Sequence, residues 1–142
     1  KMGYHKLTAR LCAGSGMTAD TFDCAVSWNA LSNTYEAVRE AIAGFGIVGA
    51  HCGVDREGPY LYFTFAIPGR SGTLYREVWE AILYACIASG ARTNHHHGIG
   101  RLKSGLKNSL APFANGHEWY ARARLIKQET DPYRVLNPHN LV

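Results

Sequence analysis

The sequence has little charge, few sulfur-containing residues and no long apolar run. Of its 142 residues, 18% are charged and four are cysteine. The cysteines form no C-x-x-C pair, which excludes the usual zinc-finger and dithiol redox motifs. They are Cys12, Cys24, Cys52 and Cys86. Scattered thiols are typical of small buried side chains in a reducing compartment, so we expect a cytoplasmic protein. No apolar run approaches the roughly 20 residues of a membrane-spanning helix, and the first residues do not have the basic-then-apolar pattern of a signal segment.

Several motifs for nucleotide binding and acyl transfer are also missing. Gly98 and Gly100 do not continue into a dinucleotide-binding turn, and the chain contains neither a P-loop nor a G-x-S-x-G nucleophile elbow. RNA-recognition modules place an aromatic motif on their third strand, and segment 58–63, GPYLYF, matches it poorly. We therefore expect no nucleic-acid partner.

What the sequence does contain is enough apolar material for one core, and a local excess of positive charge. Hydrophobic residues make up 46% of the chain, as in a compact domain. The formal net charge is +4. Residues 1–70 are balanced, so the excess lies in the second half, where no carboxylate occurs between Arg92 and His117. Such a stretch attracts an anion, although a solvated basic loop would have the same composition.

The spacing of apolar residues predicts a β-α-β-β-α-β order. We expect strands over 21–27, 47–52, 60–67 and 91–97, helices over 31–45 and 73–89, and two further helices over 4–13 and 116–128. This order is typical of a ferredoxin-like α+β domain, an antiparallel sheet with helices on one face. The predicted division is an N-terminal helical segment (1–16), a ferredoxin-like domain (17–100) and a C-terminal helical tail (101–142).

One predicted strand carries a candidate proton-transfer group. In segment 60–67 the side chains of Leu61, Phe63 and Phe65 share one face, while Tyr60 and Tyr62 point to the other. A phenol on the open face of a sheet can donate a hydrogen bond or transfer a proton. Tyrosine is also simply a common strand residue, so the pattern alone leaves both interpretations open.

Three consecutive histidines form the most unusual motif. On a strand, His95 and His97 would face one side and His96 the other. The glycines at 98 and 100 allow a ligand to approach the backbone closely, and Arg101 adds positive charge. Neither an acidic residue nor a cysteine lies nearby in the sequence, so we expect an anion or cofactor site and no metal.

Several motifs together resemble a known family. They are DTFD at 20–23 with SW at 27–28, LYFTF at 61–65, HHHGIGRL at 95–102, and DP at 131–132 with LNP at 136–138. In order and spacing the chain resembles the C-terminal (cap) part of FAD-linked oxidases of the vanillyl-alcohol oxidase type. The triple histidine makes it most similar to alkyldihydroxyacetonephosphate synthase and its bacterial relatives.

The resemblance implies an enzyme that forms an ether bond on a dihydroxyacetone phosphate ester through a flavin adduct. A separate FAD-binding domain, absent from this chain, would hold most of the FAD, so the fragment alone is expected to be inactive. Tyr62 would be the acid/base, and the histidines His95, His96 and His97 would act beside flavin and substrate. Cofactor contacts would come from His96, His97 and Asn137. Contacts to the substrate phosphate would come from Arg10, Arg101 and His51.

Two departures from the family pattern leave the substrate open. Arg10 is displaced by about one position from the family's arginine, and the usual H-x-S-H-x-Y segment reads HCGVD at 51–55, which keeps only its first histidine. The substrate is therefore expected to be a phosphorylated or carboxylated small molecule or lipid. One alternative is an FAD-dependent dehydrogenase of a 2-hydroxy acid such as D-lactate or glycolate. Another is a stand-alone ferredoxin-like module that binds an anionic ligand or RNA. A homodimer is compatible with the sequence, and a eukaryotic ether-lipid synthase would be peroxisomal.

Overall fold

The described part of the chain is an α+β structure, which confirms the predicted fold class. A computed structural model describes residues 14–98, 100–104 and 116–138. The strands are β1 (Met17–Ala25), β2 (Ile47–Asp55) and β3 (Gly58–Pro68), and the helices are α1 (Leu31–Ile42), α2 (Gly72–Ala88), α3 (Gly100–Ser104) and α4 (Gly116–Thr130). The predicted helix over 4–13 lies outside the described residues.

The strands form one antiparallel sheet in the order β1-β3-β2. Alternate β3 side chains are buried, as its sequence pattern predicts. Helices α1 and α2 pack on the buried face: in α1 the Tyr35 ring stacks on Phe63, and in α2 the Trp79 ring meets Phe22 edge to face. The other face of the sheet is therefore free of these two helices.

A polar contact also joins β1 to α2. The Asp20 carboxylate accepts hydrogen bonds from the Tyr75 hydroxyl and from the Trp79 indole nitrogen, the latter at 3.3 Å. Partial burial, followed by the hydrogen bond to Asp20, raises the pKa of the Tyr75 phenol above its ordinary value. This phenol therefore stays neutral and acts as a hydrogen-bond donor between strand and helix.

The turn from α1 to β2 depends on a glycine. A Cβ atom at Gly46 would lie 2.2 Å from the carbonyl oxygen of Ala66 on β3. Because a backbone atom cannot move aside without disturbing the sheet, only glycine fits here. The helix predicted to reach residue 45 accordingly ends at Ile42, whose carbonyl accepts the N–H groups of Phe45 and Gly46.

The fourth predicted strand, over 91–97, is reduced to a single bridge. Arg92 pairs with Ala25 through two antiparallel backbone hydrogen bonds of 2.8 and 3.0 Å. Beyond it the chain bends, because the N–H groups of residues 95–97 bond to a side chain on β1 instead of to a strand. The ferredoxin-like strand order remains a prediction.

The chain divides into two compact units, Lys1–His97 and Gly98–Val142. The division predicted at 1–16, 17–100 and 101–142 stays a prediction. In the second unit, Asp131 closes the end of α4, since its carboxylate accepts bonds from Lys127 and from the N–H groups of Val135 and Leu136. Among the residues that the structure describes, no helix is long and apolar enough to cross a membrane.

Candidate functional site

A row of three polar side chains crosses the face of the sheet that the helices leave open. On β3, Tyr62 lies directly opposite Asp23 of β1 and directly opposite His51 of β2. Residues paired in this way share a face of the sheet. Neighbouring Leu61 and Phe63 point to the helices, so this row lies on the opposite side.

The Asp23 carboxylate anchors the loop of three histidines, His95–His97, which we call the histidine loop. One oxygen, Oδ2, accepts the backbone N–H groups of all three residues, at 3.0 Å from both His95 and His97. Asp23 is fully buried. Burying a carboxylate is costly without such partners, and consecutive N–H groups form a concave nest that suits an anion. Asp23 therefore sets the path of the histidine loop.

Two tyrosines of β3 contact the histidine loop. The Tyr60 ring stacks on His95 with centroids 4.2 Å apart, and the Tyr62 ring meets His97 edge to face at 5.0 Å. Tyr62 also lies near His96, at 6.0 Å, and stacks on His51 at 4.9 Å. The structure thus brings together the predicted catalytic tyrosine, all three histidines and His51.

The predicted alternation of the histidines is wrong. A strand would turn His96 away from His95 and His97, yet all three approach the tyrosines of β3. The reason is that the segment bends around the Asp23 carboxylate, so that the two-residue period of a strand does not apply to it.

The position of the Tyr60 ring depends on a glycine in the neighbouring strand. Gly53 of β2 lies opposite Tyr60, and a Cβ atom there would be 2.2 Å from the ring carbon Cζ. The Tyr60 ring therefore occupies the space that a larger side chain at position 53 would fill, and in this position it stacks on His95.

An acidic residue that the sequence analysis did not place near the histidines bonds to them directly. Asp55 Oδ2 lies 2.6 Å from His95 Nε2, and His95 Nδ1 lies 2.7 Å from His96 Nδ1. The other oxygen, Asp55 Oδ1, accepts the N–H of Glu57 at 2.9 Å. The Glu57 amide, and next the His95 ring, hold the pKa of the Asp55 carboxyl below its ordinary value.

The expectation that the histidines have no acidic residue nearby was therefore wrong, since both Asp23 and Asp55 are in contact with the histidine loop. Donor atoms of Asp23, His95 and His96 lie within 4.8 Å of one another, close enough for a metal ion. However, Asp23 Oδ2 already accepts three amide groups, and the two Nδ1 atoms bond to each other. We assign no metal ligands here, and the absence of a metal stays a prediction.

A cleft of about 240 Å³ adjoins the histidine loop. It lies between the end of β1 and the β2–β3 turn, and its polar lining includes Asp55, Glu57, Arg92 and His95. Arg92 offers donors for an anionic group, while the two carboxylates favour a ligand that also carries a donor.

Comparison with known proteins agrees with the motifs. The model of the family described as FAD linked oxidases, C-terminal domain, matches residues 3–141. The chain belongs to this family. It is also similar to the alkyldihydroxyacetonephosphate synthase of Caenorhabditis elegans, with 27% identity over 141 aligned residues, which cover 89% of this chain and 23% of that protein. The chain thus spans about a quarter of that relative's length, and the predicted resemblance is confirmed.

Three predicted site residues of this FAD-linked oxidase domain are not among the described residues of the unit that ends at His97. Arg10 falls outside the described residues, and so does the side chain of Arg101, whose backbone belongs to α3. Asn137 follows α4 in the second unit and has a positive φ of 46°. The roles proposed for these residues stay predictions.

Sequence reasoning missed the parts played by Asp23 and Asp55. A signal for Asp23 was present, because a charged residue stands between the apolar residues Phe22 and Cys24 within a strand pattern. Asp55 gave no comparable signal, since an acidic residue at a hairpin turn is ordinary. Only the folded hairpin brings it to His95.

Proposed function

We propose that this chain is the substrate-binding domain of an FAD-dependent enzyme whose reaction resembles that of alkyldihydroxyacetonephosphate synthase. Its substrate would be a phosphorylated or carboxylated small molecule or lipid. The observation that carries the proposal is the position of Tyr62, with its ring between His51 and the histidine loop on the face that α1 and α2 leave open. A phenol among imidazoles is suited to proton transfer next to an anionic group.

Each residue of the site has a distinct part in this proposal. Tyr62 moves the proton at the reacting carbon of the substrate. The imidazoles of His51 and His97 donate hydrogen bonds to the phosphate or carboxylate, and His96, with 48% of its side chain exposed, remains accessible to a ligand. Asp23 holds the loop in place before substrate arrives, which reduces the ordering needed on binding.

The donor set is compatible with FAD at the same face. Imidazole and phenol groups can both donate to and accept from the polar edge of a flavin ring, and His96 and His97 are the residues on this face that we propose to contact it. When bound, FAD would supply the electron-accepting ring system of the reaction. Most of its contacts would come from a separate FAD-binding domain.

The test is Tyr62→Phe in the enzyme that joins this chain to its FAD-binding domain. Without the phenol oxygen the proton has no acceptor, so turnover should fall by about a hundredfold or more. The flavin absorbance spectrum should show FAD still bound. Tyr84→Phe removes a hydroxyl from an exposed position on α2 and serves as the matched control, with turnover unchanged.

Near-normal turnover of Tyr62→Phe would contradict the proposed function. The substrate class is tested separately under anaerobic conditions. Reduction of the flavin by D-lactate or glycolate would assign the enzyme to 2-hydroxy acid dehydrogenation. Exchange of an acyl group for a fatty alcohol on dihydroxyacetone phosphate esters would support the ether-forming reaction.

A further inference from the structure

A chain of three hydrogen-bonded groups runs along the edge of the site. Asp55 at the end of β2 contacts His95 Nε2 at 2.6 Å, and His95 Nδ1 contacts His96 Nδ1 at 2.7 Å. The side chain of His95, in the middle of the chain, is 19% exposed, whereas those of Asp55 and His96 are 41% and 48% exposed. Both ends of the His95 ring are thus engaged.

The geometry determines where the imidazole protons lie. A carboxylate can only accept, so the proton of a neutral His95 is on Nε2, and its Nδ1 becomes an acceptor. Two ring nitrogens 2.7 Å apart share one proton, which then belongs to His96 Nδ1. Asp23 Oδ2, at 3.5 Å from the same His96 nitrogen, favours a proton there as well. His96 Nε2 is left with its lone pair.

We propose that Asp55 and His95 form a proton relay that prepares His96 Nε2 to act as a base. When His96 Nε2 takes a proton from a bound ligand, the proton on its Nδ1 passes to His95 Nδ1. The N–H bond lost at one ring is regained at the other, and the positive charge comes to rest on His95 beside the Asp55 carboxylate. His96 is neutral again and now carries its proton on Nε2. The use of this relay in catalysis rests on the function proposed above, with Asp55 and His95 as positioning residues.

Other groups facing the two rings are compatible with this assignment. Tyr60 stacks on His95, and Tyr62 and His97 contact His96. Glu57 and Arg92 line the adjoining cleft. The low pKa of the Asp55 carboxyl keeps it ionised at neutral pH, as the acceptor role requires.

The tautomers are directly measurable on this chain without flavin or substrate. Long-range ¹H–¹⁵N correlation spectra of the ¹⁵N-histidine-labelled chain, at a mildly alkaline pH, distinguish protonated from bare ring nitrogens. We expect His95 with its proton on Nε2, His96 with its proton on Nδ1, and a scalar coupling between the two Nδ1 atoms across their hydrogen bond. His95→Gln and His96→Gln assign the signals.

Asp55→Asn should reverse the tautomers of both His95 and His96. The substituted side chain can keep its amide oxygen on the Glu57 N–H, which places its NH₂ group where the carboxylate Oδ2 faces His95. That NH₂ donates to His95 Nε2, so the His95 proton moves to Nδ1 and the His96 proton moves to Nε2. Glu57→Gln removes a carboxylate from the same turn but keeps the backbone N–H that Asp55 accepts, so both tautomers should stay as in the parent chain.

A parent chain with the His96 proton on Nε2 would overturn the relay, and so would a folded Asp55→Asn chain with unchanged tautomers. The first measurement needs no variant to fold. The relay and the proposed function also fail separately. If the predicted tautomers are found but the Tyr62→Phe enzyme is fully active, the proton arrangement is supported and the proposed function is contradicted. If the tautomers differ from the prediction but the Tyr62→Phe enzyme is inactive, only the relay is contradicted.

Discussion

Asp23 is the residue on which the arrangement of the histidine loop depends. Its place in β1 puts it on the sheet face opposite the helices, yet its side chain is fully buried because the histidine loop covers it. The three amide groups that it accepts have no strand partner in this conformation. A carboxylate is suited to this position, because charge-assisted hydrogen bonds are stronger than neutral ones.

Asp23→Ala should release the histidine loop. Three amide groups would lose their acceptor, and we expect the free energy of unfolding to fall by about 2 kcal/mol. Urea unfolding measures this loss, and amide hydrogen exchange should become faster at residues 95–97. Asp23→Asn keeps one acceptor oxygen and should lose about half as much. Unchanged exchange in the alanine variant would show that the loop is held by other contacts.

At the level of elements, the β2–β3 hairpin also helps to position the histidine loop. Its register brings Gly53 under the Tyr60 ring, and Asp55 and Tyr60 both reach His95 from this hairpin. The strand pairing therefore decides the position of a residue that belongs to neither strand.

Gly53→Ala should displace the Tyr60 ring with little loss of stability. The new Cβ would meet the far end of a side chain, which can swing away, so we expect a change in the free energy of unfolding below about 1 kcal/mol. The ring-proton shifts of His95 should move, because the stacked ring is lost. Gly49→Ala, in the same strand with nothing within 4 Å of its Cβ position, is the control. Equal His95 shifts in both variants would contradict the stacking.

The periodicity of the sequence predicted most elements but not the segment after α2. Strands β1, β2 and β3 and helices α1 and α2 have apolar faces with the required period, and each lies within a few residues of its prediction. Residues 91–97 were also predicted to form a strand. The N–H groups of residues 95–97 bond to a side chain 72 or more positions earlier, and no local pattern reports such a partner.

At the scale of the whole molecule, the carboxylates of Asp55 and Asp131 connect stability to pH. The first is Asp55 in the unit that ends at His97, where the Glu57 amide and the His95 ring lower its pKa. The second is Asp131 in the other unit, where Lys127 and two backbone amides lower its pKa. A pKa that is lower in the folded state stabilises the fold above the unfolded-state value, and this contribution is lost as pH falls through the folded-state value.

The chain should therefore lose stability below about pH 4, where an aspartate of the unfolded chain begins to take up its proton. Urea unfolding midpoints followed from neutral pH to about pH 3 measure the decline. Asp131→Asn removes one of the two groups and should make the decline shallower, with a lower midpoint at neutral pH. A midpoint that is the same in acid as at neutral pH would contradict both contributions.

The sequence by itself determined the α+β class, the alternation that buries one face of β3, and the family, because these depend on local periodicity and on short contiguous motifs. Tyr62 and the three histidines could be singled out from residue type and order alone. Tertiary structure decided how they meet. Asp23 bends the loop, Gly53 leaves room for the Tyr60 ring, and Asp55 reaches His95 only when the hairpin has formed. These contacts join residues 7 to 74 positions apart, and their geometry follows from strand register and packing, which no single segment encodes.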